Sequence, residues 1–165
     1  MLGVLLWSAA LAAPPNRPVH PPEIDARLSA LIGDWTRVGK EASYRDSCVW
    51  YDRRAFVVCS LTDSADGTRV EAIVGYSEKD RRFTYQSYGN NGASRVQYGY
   101  PAGDRGLVFT DEQQMDGKQA RLTTRLLPQP DGRLRITLDR SVEGGPWQQA
   151  GEVHYVRRGP TKSGS

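Results

Sequence analysis

Apolar and polar residues alternate along most of the chain, and this period of two is typical of β-strands with one buried face and one face in water. Leu134, Ile136 and Leu138 alternate with polar neighbours. Turn-forming pairs such as Asp66-Gly67 and Asp116-Gly117 interrupt the pattern about every 10–15 residues, as in antiparallel sandwiches and barrels. The pattern predicts ten strands, near residues 34–41, 44–51, 56–62, 68–77, 82–88, 94–99, 106–111, 119–127, 133–141 and 147–157.

A single helix is predicted before the strands. Ile24, Leu28, Leu31 and Ile32 follow helical spacing after a Pro-Pro start, and two carboxylates stand in the first turn, where they favour the helix dipole. Gly33 ends this helix. Ten antiparallel strands close most easily into a barrel, so we expect an all-β fold: an antiparallel barrel of about ten strands preceded by one short N-terminal helix.

The N-terminal residues 1–13 (MLGVLLWSAALAA) are apolar and uncharged, and they end in a small-x-small pattern. They resemble a secretory signal, the alternative being a short buried helix. The segment is too short for a membrane span, which needs about 20 apolar residues. We expect a Pro-rich linker over 14–22, the barrel over 23–158 and a disordered tail over 159–165. A secreted or periplasmic location follows from the predicted signal.

Charge and length limit the classes of partner. The 165 residues suit one domain, and the net charge is +3 with basic residues scattered along the chain. Scattered charge favours neither nucleic-acid binding nor a stable membrane association. Oligomeric state is not indicated by the sequence.

Two cysteines stand on neighbouring predicted strands. If Cys48 lies opposite Cys59, Val49 pairs with Val58 and Tyr51 pairs with Phe56, so every pair is apolar and the register is consistent. A cross-strand disulfide is therefore predicted, and it suits an oxidising compartment. Two buried thiols are the alternative. A redox role is not favoured, because the chain has no C-x-x-C motif.

The segment Gly33-Asp34-Trp35, which follows the predicted helix and opens the first strand, resembles the G-x-W signature of lipocalin-like (calycin) barrels. Three further parts of the chain strengthen the resemblance. These are Cys48-Val49-Trp50 with Phe56-Val57-Val58-Cys59, Gly75-Tyr76 with Phe83-Thr84-Tyr85, and Ser141 to Trp147 leading to Tyr155-Val156-Arg157.

Together these segments are similar to a family of uncharacterised secreted bacterial lipocalin-like domains, over residues 24–158. The resemblance implies a closed barrel with no established activity or ligand. It also implies that Trp35 lies across one barrel end beneath an arginine, for which Arg157 or Arg158 is suitably placed. A structural role for Trp35 and Arg157 is expected.

Three tyrosines on predicted mid-barrel strands, Tyr76, Tyr85 and Tyr98, are the candidate ligand-binding residues. Each combines an apolar ring with one hydroxyl that can orient a ligand, although core packing is the commoner use of such residues. The charges are expected to lie mostly on the outer face or in turns. We therefore expect a small hydrophobic ligand.

No catalytic or metal-binding residue and no cofactor is assigned. His20 falls in the linker, and His154 takes the outward parity of the last strand, opposite to Trp147, Val153 and Tyr155. The haem-binding nitrobindins use a histidine close to the last strand, but residues 39–44 here depart from the glycine-rich segment of that class. Haem binding is a minor alternative.

The predicted function is a binding module that holds a small hydrophobic molecule in the barrel. A structural or interaction domain whose barrel is filled by its own side chains is the alternative. An enzyme that uses the same cavity is less favoured.

Overall fold

The computed structural model describes residues 20–159, which form one helix, α1 (Pro22–Ser29), and ten strands. The predicted signal segment 1–13, residues 14–19 of the linker and residues 160–165 of the tail lie outside the described residues. The strands are β1 (Gly33–Arg37), β2 (Tyr44–Tyr51), β3 (Phe56–Asp63), β4 (Thr68–Ser77), β5 (Arg82–Gly89), β6 (Ser94–Ala102), β7 (Gly106–Met115), β8 (Lys118–Pro128), β9 (Leu134–Val142) and β10 (Gln148–Arg157).

Each strand pairs antiparallel with its neighbours in the chain, and β1 pairs with β10 to close the barrel. Closure leaves no strand edge unpaired. The predicted fold class, a ten-stranded antiparallel barrel after one short helix, is confirmed. Within residues 20–159 no helix is both long and apolar enough to span a membrane.

Several predicted boundaries are wrong. Strands β6 and β7 run to Ala102 and Met115, beyond the predicted ends at residues 99 and 111. The helix ends at Ser29 rather than Ile32, because the amides of Leu31 and Ile32 bond to carbonyls three residues back and tighten the last turn. Strand β1 ends at Arg37, well before residue 41, because Gly39 has a φ of +82° and turns the chain toward β2.

Helix α1 covers one end of the barrel and is fixed there by arginines. The guanidinium of Arg27 donates to the carbonyl of Gly106, at the start of β7, over 2.6 Å. In the turn between β2 and β3, Arg54 donates to Asp25 over 2.5 Å and to the hydroxyl of Ser29 over 2.8 Å. We call this the closed end of the barrel.

Trp35 lies beneath α1 and is 3% exposed. Its indole Nε1 donates to the carbonyl of Leu31 over 2.8 Å. The guanidinium of Arg157 lies 4.3 Å from the centre of the Trp35 ring system and donates to the carbonyl of Ile32 over 2.7 Å. Gly33 has a φ of +132°, and a Cβ there would overlap the Arg157 guanidinium. The G-x-W segment thus joins helix, ring and arginine in one packed unit.

Large buried side chains fill the half of the barrel nearest α1. They come from the helix and from the ends of strands at the closed end, and the largest that are fully buried are Phe83, Phe109, Leu28, Leu107, Val57 and Val74. The largest fully buried side chains are therefore concentrated toward the closed end.

The cysteines form a disulfide. Cys48 is bonded to Cys59, and β2 and β3 adopt the predicted register, with Val49 opposite Val58. Both cysteines belong to the buried core. The predicted pairing is confirmed.

The prediction for β10 needs one correction. A bulge between Gln149 and Gly151 changes the parity of the strand, so Trp147 does not share a face with Val153 and Tyr155. Trp147 is 53% exposed. His154 lies outward as predicted, with its Nε2 3.0 Å from Glu152.

We predict that replacing both cysteines, Cys48→Ala with Cys59→Ala, lowers the free energy of unfolding by about 2–3 kcal/mol. The bond closes a short loop, and its loss frees the unfolded chain. Denaturant titration of both proteins measures the difference. Equal midpoints would show that the bond does not stabilise the fold.

We predict that Trp35→Ala lowers the free energy of unfolding by about 3–5 kcal/mol, the range for large core truncations. Trp147→Ala is the matched control, because that tryptophan is exposed and its loss leaves no cavity. Thermal and denaturant unfolding compare the two variants. A loss below about 1 kcal/mol for Trp35→Ala would contradict a structural role at the closed end.

Candidate ligand-binding cavity

The barrel contains a cavity that opens at the end opposite α1. An outer chamber of about 730 Å³ begins at the loops that join β3 to β4 and β5 to β6. An inner chamber of about 140 Å³ lies deeper, against Trp35 and Leu31. The two chambers share five lining residues, Leu61, Val70, Tyr85, Leu126 and Ile136. Their total size suits a small-molecule ligand, since such sites measure about 300–1,000 Å³.

The outer chamber has a polar wall. Ser87, Gln97 and Gln113 line it, and the Nε2 of Gln97 is buried without a hydrogen-bond partner. Arg95 also faces inward and pairs with Asp111 over 3.2 Å. The expectation that charges lie mostly outside or in turns is therefore wrong for this region. Polar side chains can face inward here because this end of the barrel is open to solvent, so they do not pay the cost of burial in an apolar interior.

The inner chamber is apolar except for one carboxyl group. Asp46 lies on β2 between Tyr44 and Cys48, with Trp35 beside it on β1 and Leu61 beside it on β3. Of the described residues that line this chamber, Asp46 alone carries a charge at neutral pH.

The Asp46 carboxyl has no cationic partner. Within residues 20–159 no lysine, arginine or histidine nitrogen lies within 4.0 Å of it. Its Oδ1 is 3.7 Å from the Sγ of Cys48, which carries no hydrogen because it is bonded to Cys59. Burial raises the pKa of Asp46 from 3.8 to about 6, and the charge of Glu71 adds to the shift.

Three tyrosines complete the inner chamber. The hydroxyls of Tyr44 and Tyr155 lie 3.1 Å apart and share a hydrogen bond. Burial raises the pKa of Tyr44, Tyr85 and Tyr155, and the Asp46 charge raises each pKa further. All three therefore stay neutral at physiological pH. With Trp35 they place four aromatic rings around one carboxyl group.

The predicted ligand-binding tyrosines have different positions. Tyr85 lines both chambers. Tyr76 faces inward near the closed end, where its ring packs 5.0 Å from that of Phe83, and it lines neither chamber. Tyr98 does not face the cavity.

The prediction that Tyr98 lines the interior is wrong. It lies on the outer face of β6, is 42% exposed, and carries the Arg82 guanidinium 3.7 Å above its ring. Gln97 and Gly99 take the inward parity instead. Gly99 is required there because a Cβ would overlap the ring of Phe109, which already fills the interior at that level.

Sequence reasoning missed Asp46, Tyr44 and Tyr155. The expectation that charges lie mostly on the outer face or in turns leaves no inward position for the Asp46 carboxyl. The sequence does allow this position to be predicted. Asp46 stands two residues from Cys48, so both side chains lie on the same face of β2, and the predicted disulfide identifies that face.

A metal or haem site has little support among the described residues. Ligand atoms of Asp46, Cys48 and Cys59 lie within 4.8 Å of one another, but both sulfurs are used in the disulfide and are not thiolates. His154 lies on the outer face beside Glu152, so it cannot ligate iron held inside the barrel.

Comparison of the chain with protein-family models and with curated proteins finds no match. The resemblance to lipocalin-like domains stays a prediction from the motifs. Function has to be inferred from the cavity itself.

We predict that Asp46→Asn raises the free energy of unfolding, and more so at high pH. The folded pKa of about 6 exceeds the ordinary 3.8, so the ionised carboxyl destabilises the folded state fully above about pH 6. This cost falls away as the pH drops toward 4. The gain from Asp46→Asn should be about 1–2 kcal/mol larger at pH 8 than at pH 4.5. Denaturant titrations at both pH values measure it, and an equal gain at both would contradict a partly buried, unpaired carboxyl.

Proposed function

We propose that the protein is a binding module that encloses a small hydrophobic or amphipathic molecule in its barrel. The supporting observation is a cavity that is open at one end and sealed at the other. Helix α1 and Trp35 seal the closed end, and the outer chamber of about 730 Å³ gives access from the opposite end.

The cavity supports binding over a filled structural barrel. Phe83 and Leu107 occupy the half near α1, whereas shorter polar side chains such as Ser87 and Gln113 line the outer chamber. A barrel that served only as scaffold would be more stable with this space filled, because unfilled volume costs packing energy.

An enzymatic function has less support. Neither histidine lines the chambers, and residues 20–159 contain no free cysteine. The described lining therefore lacks the serine–histidine or cysteine–histidine pair that many covalent mechanisms use.

We also propose a secreted or periplasmic location. The Cys48–Cys59 disulfide supports it, because such bonds persist in oxidising compartments and are rare in the cytosol.

Two neighbouring residues of β5 provide a matched test. Ser87 faces the outer chamber, whereas Gln86 is exposed on the outer face. Ser87→Trp would fill the chamber, and Gln86→Trp adds the same ring outside. We expect Nile red, a neutral apolar dye, to fluoresce with the unchanged protein and with Gln86→Trp. Ser87→Trp should weaken its binding about tenfold or more.

Fluorescence titration of the three proteins, each checked for folding by circular dichroism, decides between the candidate functions. Absence of dye uptake by folded protein, or equal loss in both variants, would overturn the proposal and favour the filled structural barrel.

A further inference from the structure

The inner chamber holds a negative charge that the protein leaves unpaired. Asp46 faces the chamber, and the cations of the closed end are engaged elsewhere. Arg157 lies over Trp35 and bonds to the carbonyl of Ile32, and Arg54 pairs with Asp25. An ionised carboxyl in an apolar space is costly without a counter-ion. A ligand that carries a cation would supply this counter-ion and relieve the cost.

The walls of the inner chamber also suit a cation. The rings of Trp35, Tyr44, Tyr85 and Tyr155 line it together with Asp46. Aromatic faces attract ammonium groups within about 6 Å, and cages of such rings are a common means of recognising them. One face of Trp35 is already covered by Arg157, so the tyrosines supply most of the free aromatic surface.

The space above the carboxyl suits an apolar chain. Leu61, Val70, Leu126 and Ile136 line both chambers and form an apolar belt between them. A ligand whose head reaches Asp46 must pass its body through this belt. Its far end would then lie in the polar outer chamber near the open end.

We propose that the inner chamber binds the ammonium group of an amphipathic amine, with Asp46 as its counter-ion and the tyrosine rings as its walls. This inference rests on the proposed function and adds the chemical class of the ligand. An alcohol of the same length would fill the belt but leave the Asp46 charge uncompensated. A carboxylate would place a second negative charge beside the first, so the cavity should reject it.

Neighbouring charges do not offset this preference. Arg37, on β1, lies opposite Tyr155 on β10, and no ion pair joins it to Asp46 in the described structure. Lys40 is paired with Asp63 over 2.6 Å, toward the open end. The pKa of Asp46, near 6, supports the same conclusion, because the carboxyl is mostly ionised at pH 7.5 and available to a protonated amine.

Three ligands of equal length provide the test: octylamine, octanol and octanoate, each titrated by calorimetry at pH 7.5. We expect octylamine to bind the unchanged protein about tenfold or more tightly than octanol, and octanoate to bind most weakly. Asp46→Asn should reduce octylamine to the affinity of octanol and leave octanol unchanged. This variant is expected to fold, because it removes an unpaired buried charge.

Glu71→Gln is the matched control. Glu71 lies on the outer face of β4, where it accepts a hydrogen bond from Ser60 over 2.6 Å, and its substitution changes the net charge by the same amount. Its removal lowers the pKa of Asp46 and so leaves this carboxyl ionised at pH 7.5. Glu71→Gln should therefore keep the preference for octylamine. A preference that Asp46→Asn retains, or that Glu71→Gln also loses, would overturn the proposal.

The outcomes separate this inference from the function on which it rests. Equal affinity of all three ligands for the unchanged protein, blocked by Ser87→Trp, would overturn the amine proposal and leave the binding function supported. Absence of binding by all three ligands and by Nile red would overturn both.

Discussion

The pairing of β1 with β10 is the interaction on which the rest of the structure depends. It sets Trp35 opposite Arg157, so the guanidinium covers the indole ring and reaches the carbonyl of Ile32 at the end of the helical segment. The same contact closes the sheet and attaches the helix across one end of it. Without this closure there would be two strand edges and no enclosed interior.

Closure at one end produces a gradient of polarity inside the barrel. Near α1 the lining of the interior is mostly apolar, and at the open end polar side chains such as Gln97 and Ser87 line a space that water can enter. Asp46 departs from this gradient, because it is a carboxyl group on the apolar side. Burial of a charged group without a partner reduces stability, and such groups cluster at functional sites. This departure is the strongest indication of where a ligand binds.

The sequence predicts the strands well because the period of two is regular and turns punctuate it. The disulfide register is predictable too, because the four residue pairs from Cys48–Cys59 to Tyr51–Phe56 are all apolar in it. The site is less predictable. Val96, Tyr98 and Tyr100 form an apolar row that favours an inward face, yet all three are exposed. The inward parity belongs to Gly99, because the ring of Phe109 leaves no space there for a Cβ. The pattern of one strand cannot show which of its two faces points inward, because the side chains of the other strands decide which face fits inside the barrel.

The most direct test of the account is the pKa of the Asp46 carboxyl, followed by carbon-13 NMR with and without saturating octylamine. The account predicts a value near 6 in the free protein, since the group is partly buried and has no cationic partner. On binding, the ammonium group should lower this pKa by about 1–3 units, as an adjacent opposite charge does. An ordinary value near 4 in the free protein, or a raised value that octylamine leaves unchanged, would contradict it.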